Sequence, residues 1–229
     1  KIQYDMADFL QYGPKRSCVQ AFRGAGKSWI TSAFACWNWL MDPQKNILVV
    51  SASKTRADDF STFTQRLIHE LPILDHLKPR DDQRSSKVSF DVGPARASHA
   101  PSCKSMGITS QLTGSRADLI IADDVESANN SQTQLMRDRL SETVKEFDSI
   151  IKPEVGRVIF LGTPQTELSI YNQLEERGFT TQIWPARFPE NKAIINYGKK
   201  LAKSVIENKE NLKPGQALDP DRFDDVDLM

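Results

Sequence analysis

The sequence predicts an α/β fold built on a mainly parallel sheet with helices on both faces, and three observations predict it. A short apolar run, Cys18-Val19-Gln20-Ala21-Phe22, breaks into Arg23-Gly24-Ala25-Gly26-Lys27-Ser28 and then becomes the helix-patterned stretch from Trp29 to Trp37, which is the order strand, glycine loop, helix. Continuous apolar runs recur at Ile47-Leu48-Val49-Val50, Leu119-Ile120-Ile121-Ala122 and Val158-Ile159-Phe160-Leu161, the pattern of strands buried on both faces. Helix-patterned segments separate these runs, and such alternation builds a parallel sheet covered on both sides.

The first element is a short helix over residues 2–10, amphipathic in spacing and stopped by Gly13-Pro14. Its Gln3 carries an amide with both donor and acceptor, suited to an adenine edge. In the glycine loop, Gly24 and Gly26 allow a tight turn whose N–H groups, with Ala25 between them, face an anion at the positive end of the following helix. Lys27 then reaches β- and γ-phosphates, and Ser28 offers a hydroxyl to magnesium. The loop departs from G-x-x-x-x-G-K-[ST] at its first position, where Ala21 stands. A bare strand-to-helix turn is the alternative, but Lys-Ser after the glycine at a helix start favours phosphate binding.

The loop's helix ends at Asp42-Pro43, a buried strand follows, and Thr55 is expected to cap a helix running to about Leu71, before Pro72. Residues 74–110 turn irregular and Ser-rich, with alternation in Lys87-Val88-Ser89-Phe90-Asp91-Val92 that suggests a more exposed strand in an insertion or sheet edge. The run at 119–122 delivers Asp123, Asp124 and Glu126 just past a strand's C-terminal end, where buried acids need a cationic partner. Asp123 suits magnesium, whereas Asp124 and Glu126 compete to orient or deprotonate an attacking water. An acidic loop capping the helix that starts near Ser131 is the other reading of the three acids. A helix over 132–147 and a strand over 156–161 follow, and the strand ends in Gly162-Thr163-Pro164-Gln165, where a hydroxyl can sense a γ-phosphate.

With 229 residues and 39% hydrophobic content, the chain suits one large α/β domain or a domain plus an appendage. No apolar run approaches the roughly 18 residues needed to cross a bilayer, so a soluble protein is expected. Cys18, Cys36 and Cys103 lack C-x-x-C spacing and read as buried reduced thiols, in keeping with a cytosolic setting. The start at Lys1 and the lack of a secretory signal suggest an excised domain. Zero net charge excludes the global basicity of a nonspecific nucleic-acid binder and leaves local patches open. Residues 78–104 carry Lys78, Arg80, Arg84, Lys87, Arg96 and Lys104, while the acidic end carries Asp219, Asp221, Asp224, Asp225 and Asp227; both also read as solvated faces.

The ordered set AFRGAGKS, LIIADDVE and LGTPQ resembles the ATPase domain of the large terminase subunit of tailed bacteriophages, of the short-tailed type also called DNA maturase B. The likeness runs from about Ile2 into the PGQALDPDRFDDVDLM tail. It implies a RecA-like ASCE P-loop NTPase in which the strand ending at Thr163 lies between the P-loop strand and the strand ending at Asp123. It implies that Thr163 couples hydrolysis to movement and that a loop lacking the first glycine but carrying a basic residue, here Arg23, is acceptable. It further implies a homo-oligomeric ring, a pentamer on the portal of a procapsid, packaging double-stranded DNA in the infected host's cytoplasm with a small terminase subunit. Residues 1–195 would then form the ATPase domain, and 196–229 a subdomain or linker toward an absent nuclease domain, so that no nuclease activity is expected here.

Phosphoryl transfer uses cations supplied as charge develops on the γ-phosphate. Arg23 is placed to act in cis, and Arg116 either acts in trans across a subunit boundary or pairs with Asp118. DNA contact in a translocating motor is to phosphates, with residues 78–104 first and the lysines around Lys199 second. The expected function is a magnesium-dependent ATPase that drives viral DNA packaging. A helicase-like RecA-fold ATPase and a nucleotide-binding assembly module without turnover are the alternatives.

Overall fold

The computed structural model describes residues 1–164, 168–208 and 210–223. Gln165 of the LGTPQ motif and the acidic residues Asp224, Asp225 and Asp227 lie outside the described residues. Seven strands form one sheet: β1 (Arg16–Ala21), β2 (Ile47–Ser51), β3 (Ser89–Phe90), β4 (Cys103–Gly107), β5 (Leu119–Asp123), β6 (Arg157–Gly162) and β7 (Thr180–Trp184). Their order across the sheet is β3-β4-β2-β5-β6-β1-β7, and every pair is parallel except β3 with β4. The strand ending before Thr163 therefore lies between the glycine-loop strand and the strand ending at Asp123, as the terminase resemblance implies.

Side chains alternate along these strands and divide the core in two. Val19, Val49, Ile121, Ile159 and Leu161 face the layer of α1 (Ile2–Tyr12), α2 (Lys27–Met41) and α3 (Lys54–Glu70). Cys18, Leu48, Val50, Ile120 and Phe160 face the other layer, formed by α5 (Gln134–Lys145), α6 (Phe147–Ile150) and α7 (Ile170–Gln173), while the short α4 (Ala128–Ser131) before α5 buries no residue. Two further helices follow β7, α8 (Asn191–Tyr197) and α9 (Lys203–Glu207). Leu201, Ala202, Val205 and Leu218 join the first core layer, and Asp5 of α1 accepts from Trp184 Nε1 at 3.1 Å and from the Ser204 N–H at 2.9 Å. The described residues after 195 thus pack against α1 and β7.

Three local expectations change. Ser53, not Thr55, caps α3, accepting the Arg56 N–H at 3.3 Å. The helix expected over 132–147 begins two residues later, at Gln134 after the cap Thr133, and bends at Glu146 into the separate α6. The irregular stretch 74–110 holds two strands: the exposed alternation reduces to the two-residue β3, and β4 lies inside the sheet beside β2. All three cysteines are free and buried, as expected.

Parallel strands end together, and register places their ends in line: Ser51 pairs with Asp123, Asp123 with Leu161, and Gln20 with Gly162. The loops that follow converge on the carboxyl edge of the sheet, where open α/β folds bind ligands.

Candidate nucleotide site

The glycine loop connects β1 to α2 at that edge. Gly24 and Gly26 both have φ of +90°, a backbone region closed to most side chains, which is why glycine stands at both positions. Gly26 caps α2 without any side-chain bond, so the helix's first N–H groups are left for an anion. The loop forms one wall of a cleft of about 860 Å³, whose opposite wall carries Asp123, Asp124 and Glu126.

Side-chain hydrogen bonds hold the loop in place and tie it to the neighbouring strands. Ser28 Oγ donates to Asp123 Oδ2 at 3.0 Å, and Lys27 Nζ donates to Ala21 O at 2.7 Å, Phe22 O at 3.3 Å and Thr163 Oγ1 at 3.0 Å. Thr163 Oγ1 in turn donates to Ala21 O at 3.0 Å. Burial first, and then the charge of Asp124, push the Asp123 carboxyl up to about 6, against the pull of Ser28, Lys27 and Arg56. Burial lowers the Lys27 ammonium, opposed by Asp124 and Asp123. The second oxygen of Asp123, Oδ1, is buried without a hydrogen-bond partner. An orphaned carboxylate oxygen beside a serine hydroxyl is the donor pair that a hard divalent cation takes. Among the described residues no three His, Cys, Asp or Glu gather to hold a metal alone, so magnesium here would draw its other ligands from phosphate and water.

Local structure separates the two remaining acids. Asp124 sits at φ of +44°, which Asp tolerates better than most residues, and its N–H donates to Leu161 O at 2.9 Å. That kink puts Asp124 on the cleft wall. Glu126 also borders the cleft but is only 7% exposed, and its Oε2 accepts from Ser169 Oγ and, at 3.1 Å, from the Ile170 N–H at the start of α7.

The other expected residues are placed as follows. Arg23 is exposed and lines the cleft. Arg116 is also exposed but precedes β5, at the end of the sheet opposite the cleft; Asp118 pairs with Lys152 at 2.7 Å rather than with Arg116. Gln3 lies behind the loop, donating to Ala25 O at 3.4 Å and to Asp219 Oδ2 at 3.1 Å. In the basic segment, Lys78, Arg80 and Arg84 are matched to Asp75, Asp82 and Asp91. Two arginines that sequence reading passed over, Arg56 at the start of α3 and Arg222, also line the cleft. Arg56 carried a faint signal as a cation just past a buried strand; Arg222 carried none.

Residues 21–154 match the family described as "Terminase large subunit, T4likevirus-type, N-terminal". Over 235 aligned residues the whole chain is 53% identical to the large terminase subunit of Enterobacteria phage T3, and it spans 40% of that relative's length. Among solved structures, the N-terminal domain of the DNA packaging ATPase from bacteriophage phi29 superposes with a TM-score of 0.51 at 15% identity, over 76% of this chain and 87% of that one. The large terminase of a thermophilic bacteriophage gives 0.51 at 10% identity, over 92% of this chain and 49% of that one. These likenesses extend the fold to packaging ATPases with little shared sequence. With a family match over more than half its length and a relative 53% identical across all of it, the chain belongs to the terminase large-subunit family.

Proposed function

We propose that this chain is the ATPase part of a viral DNA-packaging terminase, coupling magnesium-dependent ATP hydrolysis to movement of double-stranded DNA into a procapsid. The observation that carries the reading is the 3.0 Å contact between Ser28 and Asp123 beside a glycine loop, with the second Asp123 oxygen left unpartnered in the interior. N–H groups of residues 24–28 cradle the phosphates, and Lys27 exchanges its carbonyl partners for phosphate oxygens. Ser28 and Asp123 would hold the cation, which would supply positive charge against the phosphates. Asp124 orients and deprotonates the attacking water, because Glu126 already spends its carboxylate on Ser169 and Ile170.

Thr163, bonded to both Lys27 and Ala21, is the group through which γ-phosphate loss reaches β6. Arg23 stabilises the transferring phosphoryl in cis, and Arg116, remote from its own cleft, does so for a neighbour in a homo-oligomeric ring, proposed as a pentamer. The DNA packaging ATPase and the viral genome packaging motor assembly of phage phi29, which share this fold, support DNA as a partner; a portal-bearing procapsid, a small terminase subunit and the host cytoplasm complete the proposal. Residues 1–195 carry the proposed catalytic groups, and 196–229 lead toward further parts of the terminase.

The test is phosphate release from magnesium-ATP by the purified chain, with and without double-stranded DNA. Saturable turnover that Lys27→Ala abolishes is expected. Tight ATP binding without turnover, even at high protein concentration with DNA, would make the chain a nucleotide-binding assembly module instead.

A further inference from the structure

The segment after α9 returns to the glycine loop. Leu218 is buried and its N–H donates to Ala186 O at 2.9 Å, while Ala217 bridges to Arg187, so the chain is pinned beside the end of β7. It then turns: the N–H groups of Arg222 and Phe223 donate to Asp219 O at 3.1 and 2.9 Å. Gln3 fixes this turn to the loop, its Nε2 reaching both Asp219 Oδ2 and Ala25 O. The turn sets two side chains directly above the two glycines. A Cβ on Gly24 would meet Phe223 Cζ at 2.6 Å, and one on Gly26 would meet an Arg222 guanidinium nitrogen at 3.2 Å. Phe223 also packs edge-on against Phe22, with ring centroids 5.8 Å apart.

Arg222 thus shares the cleft with Lys27 and Ser28, and among the described residues no carboxylate pairs with it. A guanidinium held by a clamped turn at the mouth of an anion-binding loop is preorganised for phosphate, which it meets with planar, paired donors. We propose that the turn of residues 219–223 is the outer wall of the nucleotide site, with Arg222 contacting the phosphates in cis and Gln3 as the positioning residue that holds the turn on the loop. The proposal rests on the reading of the cleft as an ATP site. It reassigns Gln3 from an adenine contact to a clamp.

Equilibrium binding of ATP, ADP and AMP to the 229-residue chain, in the presence of magnesium, tests it. Arg222→Ala should weaken ATP and ADP by about tenfold and AMP far less, with Arg222→Lys partly restoring affinity. Gln3→Ala should weaken ATP in the same direction, and the double variant should lose no more than Arg222→Ala alone, a non-additivity that a general loss of stability does not produce. If the unaltered chain binds no nucleotide, the ATP-site reading itself fails. If the chain binds ATP and Lys27→Ala removes it, but Arg222→Ala binds as before or more tightly, the ATP site stands and the turn is a bystander or a plug, which overturns this proposal.

Discussion

Ser28 and Asp123 meet at 3.0 Å although 95 positions separate them in the chain. The contact exists because β1 and β5 flank β6 in one parallel sheet, so a helix start and a strand end arrive at the same edge. The proposed roles of Lys27, Ser28, Asp123, Asp124 and Thr163 all depend on that edge.

Asp123 has a cost that can be measured. Its carboxyl is raised from an ordinary 3.8 to about 6, so folding favours the neutral acid. The resulting stability is complete below about pH 3.8 and is lost as pH rises through 6, above which the charged group costs the fold about 2–3 kcal/mol. Asp123→Asn should therefore raise the thermal midpoint at pH 7.5 in chelator, converge with the unaltered chain near pH 4, and remove any stabilisation by magnesium. Identical midpoints at pH 7.5 would show that burial of this charge carries no penalty.

Glu126 is expected to act on structure rather than on chemistry. Glu126→Ala strands the Ser169 hydroxyl and the Ile170 N–H, a loss of about 1–3 kcal/mol that chemical denaturation can read. A variant as stable as the unaltered chain would free Glu126 for the catalytic role.

The cysteines give a chemical probe of the core. Burial pushes the Cys18, Cys36 and Cys103 thiols from 9.0 to about 12, so the stability from keeping them protonated is complete below about pH 9 and declines as pH rises above it. At pH 8 all three should resist iodoacetamide in the folded chain and react promptly in denaturant. One cysteine alkylated at the rate of a free thiol would place it outside the packed sheet layers.

For the proposed DNA surface, Arg84, Lys87 and Arg96 are exposed and lie away from the cleft. Replacing all three with alanine should reduce the slope of log affinity against log salt by about 2–3 and leave basal hydrolysis intact. Because Arg84 is already matched to Asp91, the lower value is expected. An unchanged slope puts DNA elsewhere, with the lysines around Lys199 next.

Much of this was readable from residues alone where burial demanded apolar runs. Strands β2, β5 and β6 are buried on both faces and announce themselves as Ile-Leu-Val-Val, Leu-Ile-Ile-Ala and Val-Ile-Phe-Leu. Strand β4 did not, because Cys-Lys-Ser-Met-Gly spends an interior position on Ser105, whose hydroxyl donates to Asp58 Oδ1 at 2.6 Å; a partnered polar group breaks the pattern without breaking the strand. Strand β7 hid because Thr180, Thr181 and Gln182 interrupt its apolar pattern, with Gln182 Nε2 donating to Lys199 O at 3.2 Å. The glycine loop and the three acids were legible because their spacing is local. Arg222 was not, since its place above Gly26 is set by Leu218, Asp219 and Gln3, which converge only in the folded chain. The proposed preference for Asp124 over Glu126 likewise rests on Ser169, 43 positions from Glu126.

The most direct measurement follows Asp124→Asn through ATP binding and single-turnover hydrolysis side by side. The account predicts affinity close to that of the unaltered chain and hydrolysis slower by about 100-fold or more, the range of a lost general base. Hydrolysis at the unaltered rate in Asp124→Asn, with collapse instead in Glu126→Gln, would contradict it.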